Sequence, residues 1–481
     1  MNRRNVVPRS RSVDEIILSL QEESSPRKLK TLPSGSDDAA DTPESLVGRP
    51  RPRRRRQTPL HAAKTSPKNT IHYKRRRKKI VVMILSLTCG IFLASFAISY
   101  CAVRYWPTTT TTTTTTISNT SPPTFQWHSK HAPACIPLIH KEQVDFTLVT
   151  QTSEDRLWML QYHCQRWPGP ISIAIYTQLP LLQIQDQIHC ANSSRLTLQL
   201  VSGYSEEEYP VNVLRNTALR AVQTTHVVYV DIDFWTATDL YDSLQRHRAF
   251  LLSSTKTALL MPAFQMFRQC EEWRDCQERN IPLMAQTREE LMHMLMQGKA
   301  DPFDPTNPGG HGSTRYRDWL TQASDTLLPL ECVLSNRFEP YLIFRYCQDL
   351  PPFQEVFSGY GKNKMTWMMQ LRRMGYTFWQ LNTFLLHYPH LDSTARMHWN
   401  GGEEGQQLKK PSDPHFDWLS TKRGRVDQTF VEFRKWLHRT IPDETQVPLC
   451  ENALNDDERL WLDRSALEDD DNDDDDDEDG E

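Results

Sequence analysis

From residue 144 onward the hydrophobic pattern alternates between two periods. Short apolar runs at 144–150, 171–176 and 196–201 have the length of buried strands. Between them, 154–167, 179–189 and 209–222 carry apolar residues at helical spacing. The run His226-Val227-Val228-Tyr229-Val230 continues the strand series and ends in Asp231-Ile232-Asp233-Phe234-Trp235. A helix over 238–252 and a strand over 258–264 follow. Residues 267–330 are less regular, rich in charge and Met, and read as helices and loops over the active face. Later strands are predicted at 338–345, 375–381 and 385–387, and a closing helix at 429–439. Strands alternating with helices predict an α/β fold with a mostly parallel central sheet and helices on both faces.

Before residue 144 the pattern changes character. Residues 1–79 are rich in Arg and Lys, with several Pro and Ser and few aromatics. Such a stretch buries too little apolar area to offset chain entropy, so a disordered basic tail is expected. The next 24 residues, 80–103, contain no charged side chain and follow Lys74-Arg75-Arg76-Arg77-Lys78-Lys79 directly. A bilayer needs about 20 such residues, and the basic flank places the N-terminus in the cytoplasm. A single transmembrane helix in type II orientation is therefore expected. This also argues against the nucleic-acid partner that the basic tail alone would suggest. Residues 104–135, with a Thr run at 108–116, read as a Thr/Ser/Pro-rich stem. A globular domain over 136–450 and an acidic, disordered tail over 451–481 complete the plan.

The formal net charge of −4 averages two opposite tails and says nothing about partners. Cysteine usage is more informative. Eight of the ten Cys lie beyond the apolar segment, none in a Cys-x-x-Cys pair. An even set in an oxidising compartment favours disulfides over zinc or thiol catalysis, with the pairing left open. The acceptor sequons Asn119-Thr120-Ser121 and Asn192-Ser193-Ser194 fit the same compartment.

The candidate chemistry sits at the end of the 226–235 run. On a strand continued through both carboxylates, Asp231 and Asp233 would leave on the same side. The carboxyl end of a strand is where open α/β sheets bind ligands. Two hard oxygen donors there suit Mg²⁺ or Mn²⁺ shared with substrate phosphates. This is the Asp-x-Asp arrangement of nucleotide-sugar glycosyltransferases.

Several blocks in order then resemble glycosyltransferase family 49, the enzymes related to LARGE and to the β-1,4-glucuronyltransferase acting on dystroglycan glycans. They are Asp155-Arg156-Leu157, Trp167-Pro168-Gly169-Pro170-Ile171, Tyr209 to Asn216, Val230 to Phe234, and Pro262-Ala263-Phe264. Gly310-His311 before Tyr316, Phe338-Glu339-Pro340-Tyr341, Phe357 to Lys364, and His387-Tyr388-Pro389-His390 continue the series. Departures fall at Gln354-Glu355-Val356, where an acidic-acidic-basic triplet is expected, at Lys362, where a Trp is expected, and at Gly312-Ser313-Thr314. These affect sugar identity more than reaction type.

The resemblance implies a GT-A-type nucleotide-sugar-binding fold and transfer, with inversion, of a glucuronate- or xylose-type sugar from a UDP-sugar to a glycan or glycoprotein acceptor. It implies a Golgi membrane enzyme with a lumenal catalytic domain, able to form homo- or hetero-oligomers with other transferases. Asp231, Asp233 and His387 are the expected metal ligands, with His390 the alternative to His387, and Mn²⁺ is favoured over Mg²⁺ by imidazole. Thr150, Gln151 and Arg156 are expected at the nucleotide, and Arg215 and Asn216 at the ribose or sugar. Glu355, just before Gly359-Tyr360-Gly361, is the candidate general base. The alternative is an inactive membrane-anchored relative that binds glycans or scaffolds other transferases.

Overall fold

The computed structural model describes residues 113–114, 123–204, 208–270, 276–390 and 422–453. The expected basic tail, the apolar segment 80–103 and residues 454–481 of the acidic tail lie outside them. Among the described residues no helix is long and apolar enough to cross a membrane.

The described part is an α/β fold built on two sheets. The strands are β1 (Thr113–Thr114), β2 (Phe146–Ser153), β3 (Ile171–Tyr176), β4 (Leu196–Ser202), β5 (His226–Tyr229), β6 (Phe234–Thr236) and β7 (Thr257–Met261). They continue with β8 (Ala263–Met266), β9 (Ala300–Pro302), β10 (Leu328–Pro329), β11 (Tyr341–Arg345), β12 (Thr377–Gln380) and β13 (Leu385–His387). The main sheet has the order β1-β4-β3-β2-β5-β11-β7-β12-β10, and the second has the order β6-β13-β8-β9. The first five strands of the main sheet are parallel, as the alternating pattern predicts. β11 enters antiparallel between β5 and β7, so the sheet is mixed. β11 is buried along its whole length, and a short buried run fits either direction.

Helices α1 (Leu160–Arg166), α2 (Leu181–Asp186), α3 (Val211–Arg220), α4 (Leu240–Arg246), α5 (Arg288–Met296), α6 (Asn363–Arg373) and α7 (Lys422–Thr440) cover the sheets. The helix expected over 154–167 begins as a 3-10 segment, Glu154–Met159, and becomes α-helical only at Leu160. α6 carries no clear apolar stripe because nearly all its residues are buried.

Two strands expected to run on are broken where the chain passes between the sheets. β5 stops at Tyr229, wedged between β2 and β11. A turn closed by Phe234 N–H to Asp231 C=O (3.0 Å) then starts β6 in the second sheet. The run 258–264 breaks at Pro262, which has no N–H to give a ladder. Its carbonyl instead accepts from Leu385 N–H at 2.8 Å, beside the start of β8. Trp235, fully buried, fixes the first crossing by stacking on Tyr162 at 4.3 Å and on Tyr388 at 5.2 Å.

All eight cysteines beyond the apolar segment pair, as Cys135–Cys347, Cys164–Cys190, Cys270–Cys276 and Cys332–Cys450. The globular part begins before residue 136. Phe125 packs on Phe433 and Trp436, Gln126 bonds Gln354, and Cys135 is tied to the end of β11.

Candidate functional site

The passage from β5 to β6 carries Asp231 and Asp233, and it changes how they relate. Strand alternation does not set their directions, because both lie beyond the end of β5 in the turn. Each carboxylate meets its own set of partners.

Asp231 is enclosed by donors. Its Oδ1 accepts from Gln151 Nε2 at 2.8 Å, Tyr229 Oη at 2.6 Å and an Arg215 Nη at 3.2 Å. Its Oδ2 accepts from Tyr341 Oη at 2.7 Å and Lys364 Nζ at 3.0 Å. β2 supplies Gln151, α3 supplies Arg215, β11 supplies Tyr341 and the first turn of α6 supplies Lys364. Burial opposes the charge on Asp231, but Lys364 and Arg215, with the Tyr229 and Gln151 hydrogen bonds, hold its carboxyl well below the usual range. Arg215 is itself held by Asn212 and Asn363, each at 2.9 Å, and lies over the Phe353 ring at 5.1 Å.

The loop that brings Lys364 here needs unusual backbone. Gly359 and Gly361 have φ of 71° and 91°, and Lys362 sits in the left-handed region at 58°. Glycine at the first two positions avoids the clash an L side chain meets there. The buried Lys362 ammonium is paired with Asp427 of α7 and lies 4.9 Å from the Phe430 ring centre.

Asp233 faces imidazoles. His390 Nε2 lies 2.8 Å from its Oδ2, and His387 Nε2 lies 3.9 Å away. An Arg156 Nη donates to the same oxygen at 3.0 Å, and the other contacts His390 Nδ1 at 3.2 Å. Guanidinium can only donate, so Nδ1 of His390 is the acceptor and its Nε2 carries the proton toward Asp233. The ligand atoms of Asp233, His387 and His390 all lie within 4.8 Å of one another, the spacing a single ion needs. Asp231 is not in that cluster. Burial pushes His387 down to about 4, which leaves it a neutral imidazole, the form that ligates metals. Burial disfavours the charge on Asp233 as well, but His390, His387 and Arg156 overcome it and keep the carboxylate ionised.

Both carboxylates stay reachable, with side chains 19% exposed at Asp231 and 13% at Asp233. An aromatic wall separates their partner sets. Phe234 lies 4.4 Å from Tyr341 and 4.8 Å from His387, and Phe303 lies 5.1 Å from His387.

Of the residues expected at the nucleotide and sugar, Gln151, Arg156 and Arg215 converge on the two aspartates. Thr150 is fully buried in β2 with its hydroxyl unpaired among the described residues. Asn216 points to the 353–355 loop, bonding the Phe353 backbone and Glu355. Glu355 is occupied by Asn216 at 2.9 Å and Arg220 at 3.1 Å. Trp235 and Trp367 are core side chains. Tyr229, Tyr341 and Lys364 complete the Asp231 network without having been assigned roles from sequence. Tyr341 and Lys364 both lie inside blocks that carried the family resemblance, which was the available signal.

Residues 178–410 match the family model described as "Glycosyl-transferase for dystroglycan". A zebrafish (Danio rerio) protein named xylosyl- and glucuronyltransferase LARGE2s is 35% identical over 258 residues, 52% of this chain and 32% of its own length. The human (Homo sapiens) xylosyl- and glucuronyltransferase LARGE1 is 32% identical over 275 residues, 55% of this chain and 33% of its own. The chain thus spans about a third of the length of the curated relatives it matches. Among solved structures, the mannosyltransferase PcManGT of Pyrobaculum calidifontis, in complex with GDP-Man and Mn²⁺, is 13% identical with a TM-score of 0.30, covering 74% of this chain and 83% of that one. The blocks that frame both aspartates, from Tyr209 to His390, fall inside the matched span, and across that span the chain is similar to the glycosyltransferases of family 49.

Proposed function

We propose that this protein transfers a sugar of the glucuronate or xylose type from a UDP-sugar to a glycan acceptor, by a single displacement with inversion, on a GT-A-type fold. The observation that carries the reading is the gathering of Asp233, His387 and His390 beside a second, cation-lined carboxylate, Asp231, at the crossing between the sheets. One carboxylate and two imidazoles form a mixed O/N donor set that suits Mn²⁺ better than Mg²⁺. Asp233, His387 and His390 would hold the ion, and bound there it would act as a Lewis acid on the departing diphosphate. The relatives' names support the sugar class, since they are xylosyl- and glucuronyltransferases.

The chain's own residues do the rest. Arg156 fixes the Asp233 carboxylate and, without an ion, holds His390 through Nδ1; to ligate through Nε2, His390 would carry its proton on Nδ1 and give up that bond. Lys364, with the buried Arg215 behind it, places positive charge beside Asp231, where negative charge on a donor finds compensation. A guanidinium also matches the carboxylate of a glucuronyl donor through paired hydrogen bonds. The four disulfides support an oxidising compartment, in keeping with a lumenal domain held by the apolar segment 80–103 in the Golgi membrane.

The test is UDP release by the full chain in detergent from a panel of UDP-sugars, with Mn²⁺ or EDTA and a glycan acceptor, beside Asp233→Asn. Turnover of one donor that EDTA abolishes and the substitution lowers strongly is the expected result. A folded chain that turns over no donor, and that UDP with Mn²⁺ does not stabilise thermally, would instead mark an inactive, glycan-binding relative.

A further inference from the structure

A single displacement at the anomeric carbon leaves a proton on the attacking hydroxyl, and some group must accept it. The carboxylates so far described are poor choices. Asp231 already accepts five hydrogen bonds, Asp233 is bound by Arg156 and His390, and Glu355 is bound by Asn216 and Arg220. Each such bond lowers basicity by favouring the ionised form.

Glu339 is different. It lies in the loop immediately before β11, two residues from Tyr341, whose hydroxyl bonds Asp231. Its backbone N–H donates to Gly310 C=O at 2.9 Å, which pins the Phe338-Glu339-Pro340 segment to the Gly310-His311 turn. Its side chain forms no hydrogen bond or ion pair among the described residues and is partly exposed. Its charged surroundings are those of the site: Lys364, Arg215, Asp231 and Arg337. His311, buried against Phe303 at 4.9 Å, also has Lys364 as its charged neighbour, so both sequence blocks meet on the Lys364 side of Asp231. The site thus has the His387–His390 cluster beside Asp233 and a carboxyl of uncommitted hydrogen bonding near Asp231.

We propose that Glu339 is the general base that takes the proton from the acceptor hydroxyl, an inference that rests on the transferase reading of the site. As the hydroxyl oxygen forms its bond to the anomeric carbon, a carboxylate oxygen of Glu339 takes the proton. The bond from that carbon to the diphosphate oxygen breaks, and its electron pair leaves on the nucleoside diphosphate. Glu339 later returns the proton to solvent. Burial raises its carboxyl above the usual range while Lys364 and Arg215 draw it back, which suits a group that must be ionised at rest and basic enough to act.

The experiment compares the full chain with Glu339→Gln and Glu339→Asp, using the UDP-sugar that the wild type turns over. Glu339→Gln should lower kcat by about 10²- to 10⁴-fold, with donor KM and the thermal shift produced by UDP unchanged. Glu339→Asp, which keeps a carboxylate at a shorter reach, should recover part of that loss. A Glu339→Gln rate within about threefold of wild type overturns the assignment, as does a loss that appears in donor KM and in the UDP shift rather than in kcat. If Glu339→Gln does not fold, Glu339→Asp decides alone, and unimpaired kcat there overturns it. A wild-type chain that turns over no donor overturns the transferase reading and this assignment together, so the two failures are told apart.

Discussion

Asp231 and Asp233 are separated by one residue, yet they sit in opposite chemical settings. Asp231 has two cations and two phenols around it and is held as an anion by charges already built into the protein. Asp233 has two imidazoles and a guanidinium, and its imidazole partners are groups that can leave a proton and take a metal. A motif of two identical residues therefore encodes two roles. The first carboxylate organises protein cations, and the second supplies one arm of a candidate metal centre. The cause is the turn between β5 and β6, which sends one side chain toward α3 and α6 and the other toward the end of β13.

Four substitutions test that contrast. Asp231→Asn should act mostly on stability, because it leaves Lys364 and Arg215 facing each other without their counter-charge. Breaking a buried pair from one side costs about 3–5 kcal/mol, readable as a lower urea midpoint, with Mn²⁺ affinity little changed. Asp233→Asn should do the reverse. Mn²⁺-dependent thermal stabilisation should vanish and UDP-sugar turnover should fall about 10²- to 10³-fold, while the urea midpoint moves less than in Asp231→Asn. If the two variants behave alike in both measurements, the division of labour is wrong.

Lys364→Met removes one of the two cations on Asp231 and spares Arg215. It should cost about 1–3 kcal/mol in urea unfolding, less than Asp231→Asn. The last variant probes the other end of β5. Burial, with Arg345 nearby, pushes His226 down to about 3 from 6.5. Between those values the unfolded chain binds the proton that the folded chain refuses, so stability falls as pH drops through this window. His226→Phe should flatten the decline of thermal midpoint between pH 6.5 and 4 without altering the response to Mn²⁺. A pH profile unchanged by this substitution would place the acid sensitivity elsewhere.

The sequence made the parallel half of the main sheet legible because β2 through β5 are apolar runs bounded by clear breaks. β3 and β13 coincide with their expected ranges. The antiparallel entry of β11 was not legible, since a buried strand of five residues carries no sign of direction. α6 was missed for a related reason: a helix buried on nearly every side shows no stripe. At the site, Asp231, Asp233, His387 and Arg156 could be read from short motifs and a family resemblance. The different surroundings of the two carboxylates could not. They depend on Tyr229, Tyr341 and Lys364 arriving from three separate elements, two of them more than a hundred residues further on.

The bond between Cys332 and Cys450 joins positions 118 residues apart. The loop it closes contains Glu339, Tyr341, Lys364, His387 and His390. In the chain-entropy view, a loop of this size restricts the unfolded ensemble by about 5 kcal/mol. The late half of the site is therefore enclosed in a covalent hoop that can be completed only after residue 450 has been synthesised and oxidised. Maturation of the site is thereby linked to arrival in a thiol-oxidising environment, and a reduced chain would have to gather the same five side chains without that entropic assistance.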